Sequence, residues 1–333
     1  MKRRRYSIPD RAFRIQRIGC TVLMTLLAAL SCRTASADYP ERPLRAIVPF
    51  SAGGPNDTMA RIISPMLSKT LGQQVIVENR PGADARIGIE ALAKAAPDGY
   101  TILFSAGAVA LIPALRRNVP YDPVRDVLPV AELGNAPYGV AVHPQVPARN
   151  LAELIQLARQ NPGKLNGSSS GSSSFMAQVL FQLKTGTRIV NVPYKGGGEA
   201  ALAVVRGEAD LAIVDVSAVM SHVSAGRIRM LAVASDRRAP ALPDVPTTRE
   251  SGLDYTAGGI FSVFTTGRTP PEIVRRLNTE ITRIVEAPET AKRFAALGIN
   301  PSTKTVEESL RWHLDELAKW KDVVAKAKIP LEN

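Results

Sequence analysis

The chain has 333 residues, of which 45% are hydrophobic and 22% charged, and these proportions exclude a fibrous or wholly disordered protein. Its formal net charge is +12, but residues 1–37 hold eight lysines or arginines and one aspartate, so +7 lies there and +5 on the remainder. A small and dispersed charge on the remainder argues against nucleic acid as a partner.

The first 37 residues have the three parts of a secretory signal peptide. A basic head precedes the uncharged apolar run Cys20–Leu30, and small residues follow up to Ala37. The run is too short to span a bilayer, which needs about 20 residues. We therefore predict export and cleavage near Ala37, which would remove both cysteines. Lipid attachment at Cys32 and export through the arginines at 3–5 stay open as alternatives.

Short β-type runs and helical patterns then alternate along the chain. Before the proline-rich stretch 119–147, strands are predicted at 44–50, 74–77 and 100–105, and helices at 59–70 and 87–95. Within that stretch the apolar run 138–142 predicts a strand that crosses between two lobes. The alternation then resumes with helices at 151–160, 175–184, 200–206 and 217–225 and strands at 165–168, 188–192, 211–214 and 230–234.

The C-terminal part is predicted to be helical. Thr269 and Thr305 each precede a glutamate by three residues, which is the pattern of a capping box. The order of predicted strands and helices along the chain indicates an α/β fold of the two-lobed periplasmic-binding-protein type (type II-like). In such a fold mostly parallel sheets are flanked by helices, and a ligand cleft lies between the lobes. Lobe 1 is expected to comprise 38–140 and 236–333, and lobe 2 is expected to comprise 141–235.

Loops at the carboxyl ends of the predicted strands are the candidates for binding. The first, 49–57, has two glycines and opens a helix whose free N–H groups suit an anion, although a plain capped turn explains it equally well. The serine run 167–174 and the glycine-rich segment 193–198 also precede helices, and Asp215 ends an apolar strand. Together they indicate a site for a carboxylate or another oxygen-rich ligand.

An enzyme is the less favoured interpretation. The segment Gly167-Ser168-Ser169-Ser170-Gly171 matches the G-x-S-x-G of α/β-hydrolases, with Asp215 and His222 or His313 to complete a triad. A serine run matches that pattern easily, however, and further small residues separate it from the helix. The three histidines, His143, His222 and His313, are far apart in sequence and form no metal-ligand cluster. The first loop lacks the dinucleotide fingerprint. We expect no enzyme, metal or cofactor, and a serine hydrolase stays as the alternative.

A series of motifs covers nearly the whole exported chain in a specific order. They are Tyr39-Pro40-x-Arg42-Pro43-Leu44-Arg45, Val48-Pro49-Phe50-x-x-Gly53-Gly54-x-x-Asp57, Val77-Glu78-Asn79-Arg80-Pro81-Gly82-Ala83, Pro97-Asp98-Gly99-Tyr100-Thr101, Val119-Pro120-Tyr121-Asp122-Pro123, Val192-Pro193-Tyr194-Lys195-Gly196-Gly197 and Leu242-Pro243-Asp244-Val245-Pro246-Thr247. In this order the motifs resemble those of the Bug-type solute-binding proteins of tripartite tricarboxylate transporters.

The resemblance implies a periplasmic receptor whose lobes close on a small carboxylate, such as a di- or tricarboxylate, an acidic amino acid or an aromatic acid. It also implies the membrane subunits of a transporter, or a sensor, as partners, and we expect a monomer. The ligand contacts expected from the matched loops are Phe50, Ser51, Ala52, Gly53, Gly54, Asp57, Ser105, Ser170, Ser172, Ser173, Ser174, Tyr194, Gly197 and Asp215.

Departures from the family's pattern lie at the expected cleft. Asp84 and Ala85 stand where two glycines are usual, Arg86 is added, and Phe175 stands where histidine is usual. One hypothesis is that Asp84 or Arg86 contacts a second charged group of the ligand, and the alternative is that both lie on the surface. Phe175 and Ala108 favour a less polar or aromatic acid.

Overall fold

The computed structural model describes residues 39–332. The predicted signal segment, its cleavage point and Cys32 lie outside these residues. The chain from Arg42 onward forms one compact unit, and the following description concerns that unit. No helix of the described part is long and apolar enough to cross a membrane.

Strands and helices alternate over most of the chain, as the sequence predicts. The strands are β1 (Leu44–Val48), β2 (Val75–Asn79), β3 (Thr101–Ala106), β4 (Val127–Val142), β5 (Asn166–Ser170), β6 (Val190–Tyr194), β7 (Leu211–Asp215), β8 (Arg229–Val233), β9 (Gly258–Thr266) and β10 (Asn300–Pro301). The helices are α1 (Pro55–Leu71), α2 (Arg86–Ala93), α3 (Ala108–Leu115), α4 (Leu151–Gln160), α5 (Gly171–Thr185), α6 (Gly197–Val205), α7 (Val216–Ser224), α8 (Pro271–Glu286), α9 (Pro288–Ala296) and α10 (Val306–Ala327).

The strands lie in the order β2-β1-β3-β9-β4-β7-β5-β6, with β8 and β10 also paired to β4. The pairs of β1 with β2 and β3, and of β5 with β6 and β7, are parallel. These two parallel groups follow from the βαβ pattern, because a helix must return the chain before each new parallel strand. The pairs that involve β4 and β9 are antiparallel.

Strand β4 is the long element that joins the two groups. Residues 127–137 pair with β9, and residues 138–142 pair with β7 and β8. The prediction of a strand limited to 138–142 is therefore wrong about its length. Pro129 borders a register shift in the pairing with β9, so the ladder is already irregular where this proline lacks an N–H. The lobe boundaries at 140/141 and 235/236 stay predictions.

Three elements, α3, β9 and the two-residue strand β10, have no counterpart in the prediction. All residues of α3 except Pro113 are buried, so this helix shows no polar face from which a helical period can be recognised. The C-terminal helix α10 buries Leu317, Trp320 and Val323 in a core cluster that also contains Tyr138 of β4. The end of the chain thus packs beside its long central strand.

Only one of the two predicted capping boxes forms. Thr305 caps α10: its hydroxyl accepts from the Glu308 N–H at 3.2 Å, and the Glu308 carboxylate accepts from the Thr305 N–H at 2.9 Å. The box predicted at Thr269 is wrong. Pro270 takes the N-cap position of α8, and the Thr269 side chain is buried with its hydroxyl 3.2 Å from that of Thr265.

Candidate functional site

The loop between β1 and α1 is held in place by the buried carboxylate of Asp57. Its Oδ2 accepts from the Gly53 N–H at 2.8 Å and from Arg61 Nε at 2.9 Å, while its Oδ1 accepts from Asn79 Nδ2 at 2.9 Å. Asn79 Nδ2 also donates to the carbonyl of Phe50 at 3.1 Å. These bonds tie both ends of the loop to the end of β2.

The hydrogen bond from Arg61, with further bonds from Gly53 and Asn79, lowers the pKa of Asp57 to about 2 despite the opposing effect of burial. Gly53 has a left-handed backbone with φ of +82°, and this favours glycine. Asn79 is a supporting residue that we did not predict. Its position at the end of β2, beside the end of β1, is the signal that identifies it.

The serine run is not a loop, and the prediction of one is wrong. Strand β5 ends at Ser170 and α5 begins at Gly171, so the first helical turn contains the later serines. Ser174 is buried and its hydroxyl donates to the Ile213 carbonyl at 2.7 Å. The Ser172 hydroxyl donates to the carboxylate of Asp84, and Ser173 is exposed.

The proposed hydrolase triad does not form. Ser169 is a buried residue inside β5, opposite Pro193 of β6, whereas a nucleophile elbow needs its serine on the turn between strand and helix. His313 Nε2 lies 2.8 Å from the Pro123 carbonyl oxygen, and its ring packs edge-on against Phe264. Neither the position of the serine nor that of the histidine suits nucleophilic catalysis.

Asp215 ends β7 and precedes α7 without capping that helix through its side chain. Its carboxyl group lies at a cavity wall, and burial raises its pKa to about 6. At this value the carboxyl group gains or loses its proton between about pH 5 and pH 7, and its protonated form is a hydrogen-bond donor.

The cavity beside Asp215 has a volume of about 430 Å³. Its wall combines the start of α1, the start of α7, β4, β9 and the segment between α9 and β10. The lining residues are Gly53, Pro55, Thr58, Ala136, Asp215, Ser217, Met220, Ala241, Phe261, Ala295, Ala296, Leu297, Gly298 and Ile299. Of the predicted contacts, Gly53 and Asp215 thus share one cavity, although they are far apart in sequence.

The other predicted contacts lie around the same strand ends. Ser105 is buried near the end of β3 and donates to the Ala106 carbonyl at 3.1 Å. Tyr194 ends β6 directly opposite Ser170. Gly197 begins α6, and a Cβ added to it would lie 3.0 Å from the Cβ of Ala218. Their roles as ligand contacts stay predictions, as do those of Ser51, Ala52 and Gly54.

The unusual residues fall in different surroundings. Asp84 is exposed and accepts a hydrogen bond from Ser172. Arg86 is half-buried at the start of α2. Burial raises the pKa of Tyr121, and the positive charge of Arg86 opposes this rise. Phe175 is half-buried against a core cluster, and Ala108 is buried. The two apolar residues therefore contribute to packing.

A larger cavity of about 690 Å³ is lined mainly by residues of β4, β9, β10 and α10 and of the segment after β8. None of the predicted contacts lines it. Two of its lysines are engaged in ion pairs: Lys304 pairs with Glu132 at 2.5 Å, and Lys319 pairs with Glu316. The smaller cavity, which is lined by two of the predicted contacts, is therefore the candidate ligand site. No group of three or more residues that could hold a metal occurs in the part of the chain that the structure describes.

Comparison with known proteins gives a consistent family match. The sequence model of the tripartite tricarboxylate transporter family receptor matches residues 59–329. The chain is 34% identical over 310 residues to the protein BugT of Bordetella pertussis, covering 92% of this chain and 95% of that protein.

Solved structures agree with this match. An R. palustris protein solved with adipate superposes with a TM-score of 0.75 at 32% identity, over 87% of this chain and 98% of the other. MatC from Rhodopseudomonas palustris, solved with bound malate, superposes with a TM-score of 0.72 at 30% identity, over 86% of this chain and 100% of the other. Together with the periplasmic binding protein BugD, these neighbours confirm the predicted fold class.

Proposed function

Because this chain belongs to the tripartite tricarboxylate transporter receptor family, we propose that it binds a small carboxylate in the cavity shared by Gly53 and Asp215. It is a Bug-type solute-binding receptor and not an enzyme. The observation that carries the ligand proposal is that one cavity joins the predicted loop at the start of α1 to Asp215.

The start of α1 supplies the groups that suit an anion. Gly54 is the N-cap and has no side chain, and Pro55 at the first helical position has no N–H, so the N–H groups of Asn56 and Asp57 at the start of this 17-residue helix are not used by a capping side chain. The positive end of the helix dipole adds to their attraction for a carboxylate. Asp57 fixes the loop around this helix end, and we assign it a positioning role.

The size and lining of the cavity support a small organic acid. Its volume of about 430 Å³ falls in the range of about 300–1,000 Å³ that is typical of small-molecule sites. Met220 and Phe261 give it an apolar side, while Thr58 and Ser217 add hydroxyl groups. The adipate and malate in two related structures support the same chemical class for this chain.

The family implies a periplasmic location and a tripartite transporter as the destination of the solute. We propose that residues 1–37 direct export, that the chain then acts as a monomer, and that its partners are the membrane subunits of a transporter or a sensor. The mass of the protein recovered from the periplasm tests the export step. A chain that starts near Asp38 supports cleavage near Ala37, whereas an acylated chain that starts at Cys32 supports the lipoprotein alternative.

Thermal unfolding against a panel of carboxylates and their neutral amides tests the ligand class. A ligand present at about 100 times its dissociation constant stabilises the folded protein by about 2.7 kcal/mol. We expect a raised midpoint with at least one carboxylate and none with its amide, because the amide lacks the charge that the helix end attracts. Equal shifts with acid and amide would contradict the proposal.

A pair of variants on α7 tests the location of the site. Met220→Trp places a large ring in the cavity and should abolish the carboxylate-induced shift. Ser221→Trp is the matched control, because Ser221 is exposed on the same helix and does not line the cavity. Binding that survives Met220→Trp unchanged would place the ligand elsewhere.

A further inference from the structure

The two cavities lie on opposite faces of one part of the sheet. Neighbours along a strand point to opposite faces, and residues directly opposite each other in antiparallel strands point to the same face. On β9, Ile260 lines the larger cavity and Phe261 lines the smaller one. Asn135 of β4 lies opposite both Ile260 and Asn300 of β10, and all three line the larger cavity. Only Ala136 contributes to both walls, so the sheet separates the larger cavity from the candidate ligand site.

The larger cavity has the size of a small-molecule site. Its volume of about 690 Å³ falls in the range of about 300–1,000 Å³ that is typical of such sites. Its wall joins β4, β9, β10, α10 and the segment after β8, which are distant from one another along the chain. The tertiary structure, and not a single loop, therefore shapes this cavity.

Trp312 of α10 gives the larger cavity a flat apolar surface. The residue is half-buried, because it packs against the core cluster that contains Val127 and Phe264 and also lines the cavity. Pro137 and Ile260 add apolar side chains to the same wall. An indole ring in such a position favours contact with the rings of an aromatic molecule.

Arg237 adds a positive charge to this wall. Its segment is held in place by the Ser235 hydroxyl, which donates to the Arg237 carbonyl at 2.6 Å. Among residues 39–332, no carboxylate forms an ion pair with the Arg237 side chain. The other charged side chains of the wall are paired: Lys304 with Glu132, Lys319 with Glu316, Arg238 with Glu250 and Asp236 with Arg249. The wall therefore offers one cation for a ligand with one negative charge.

We propose that the larger cavity is a second binding site, which takes an organic anion with an aromatic body. The anionic group pairs with the guanidinium of Arg237, whose planar donors suit a carboxylate, sulfonate or phosphate. The rings of the same molecule lie against Trp312. This inference goes beyond the proposed function, because it concerns the cavity on the other face of the sheet.

A matched pair of fluorescent probes tests the proposal. 8-Anilinonaphthalene-1-sulfonate is an aromatic anion, and N-phenyl-1-naphthylamine has the same rings without the sulfonate. Fluorescence titrations at constant pH and low ionic strength measure both affinities, because salt screens an exposed charge. We expect the sulfonate to bind at one site and about tenfold more tightly than its neutral counterpart.

Two variants separate the charge from the apolar surface. Arg237→Gln should remove most of the preference for the sulfonate and leave the neutral probe unchanged. Trp312→Leu should weaken both probes by a similar factor, because both contact the ring. Arg227→Gln is the control for the charge, since Arg227 is exposed and does not line the cavity. The thermal midpoint of each variant checks that it is folded.

A further set of variants assigns the probe to one of the two cavities. Thr256→Trp places a large ring at the wall of the larger cavity and should abolish binding of the sulfonate. Thr279→Trp is the matched control, because Thr279 is also exposed but lines neither cavity. Met220→Trp, which fills the smaller cavity, should leave binding of the sulfonate unchanged.

The outcomes distinguish this inference from the proposed function. No binding of the sulfonate, equal affinity for the two probes, or a preference that survives Arg237→Gln would overturn the second site and leave the carboxylate receptor intact. Binding of the sulfonate that survives Thr256→Trp but is lost in Met220→Trp would overturn it as well, because the anion would then occupy the smaller cavity. A receptor that binds no carboxylate but shows the expected probe results would overturn the proposed function alone.

Discussion

Asp57 and Asp215 stand at the starts of two helices, α1 and α7, beside the same cavity, yet their surroundings shift their pKa values in opposite directions. Three donors, Gly53, Arg61 and Asn79, surround the carboxylate of Asp57 and lower its pKa to about 2. Asp215 has no comparable set of donors, and burial raises its pKa to about 6.

The comparison shows that burial alone does not determine the charge of a cleft carboxylate. Asp57 is as well shielded from solvent as a core residue, but its donors favour the ionised form. Among the described residues Asp215 has no such set of donors, so burial stabilises its neutral form and raises its pKa to about 6. Asp57, which stays ionised, therefore suits the permanent support of a loop. Asp215, whose charge changes near pH 6, suits a contact that changes with pH or with a bound ligand.

The largest expected effect is the loss of the Asp57 network. Asp57→Ala removes three hydrogen bonds to a buried carboxylate at once, each worth about 1 kcal/mol, so we expect a loss of about 3 kcal/mol in the free energy of unfolding. Urea denaturation near neutral pH measures it. Asp322→Ala, which removes an exposed ion pair with Lys326, is the control and should change stability little.

The difference between Asp57→Ala and the unmodified protein should also depend on pH. Because the folded pKa of Asp57 is about 2 and its ordinary value is 3.8, its contribution to stability is present above 3.8 and is lost as the pH falls toward 2. A destabilisation that stays constant into acid would contradict the role given to the charge of Asp57.

Asp215→Asn should have the opposite effect. The folded pKa of Asp215 is about 6 and its ordinary value 3.8, so its contribution to stability is complete below 3.8 and is lost as the pH rises through 6. At about pH 7.5 the variant should therefore be more stable than the unmodified protein by about 1–2 kcal/mol, an amount reduced for contact with solvent at the cavity wall. At about pH 4 the gain should vanish. Thermal unfolding at the two pH values measures both, and an equal gain at each would show that packing is responsible.

The affinity for a monocarboxylate should rise as the pH falls through the pKa of Asp215. Protonation removes a negative charge from the cavity wall and supplies a hydrogen-bond donor, so we expect binding about tenfold tighter near pH 5.5 than near pH 7.5. Calorimetry in buffers of different ionisation enthalpy should show proton uptake on binding. Asp215→Asn should lose most of this dependence, and a variant that keeps it in full would assign it to another group.

The smallest effect concerns the exposed partner in the Asp57 network. Arg61 makes the largest contribution to the lowered pKa of Asp57, although its side chain is 54% exposed. Arg61→Gln should move acid unfolding to a higher pH, by less than Asp57→Ala does, because Gly53 and Asn79 still donate. Lys94→Gln, which breaks a similar i,i+4 pair on α2, is the control. An unchanged acid midpoint in Arg61→Gln would show that the donors Gly53 and Asn79 suffice.

Much of the fold can be predicted from local patterns. Helix α4 is predicted with its observed bounds, because Asn150 caps it and its apolar residues repeat with the helical period. Helix α3 is missed because a fully buried helix has no polar face. The length of β4 is missed because this strand contains prolines, which are unusual inside strands and argue against one. The serine run is misjudged because short polar residues are typical of loops, and the interior acceptors of their hydroxyls come from a helix and a strand that are distant in sequence.

The sequence by itself determined the alternation of strands and helices, the family, the capping of α10 and the loop before α1, because these depend on neighbouring residues. Only the tertiary structure decided that Gly53 and Asp215 share a cavity, that Asp84 reaches Ser172, and that two aspartates in similar positions carry opposite pKa shifts. The reason is physical: a pKa and a hydrogen bond depend on the donors, charges and burial that surround a group in space, and the fold brings these together from distant parts of the chain.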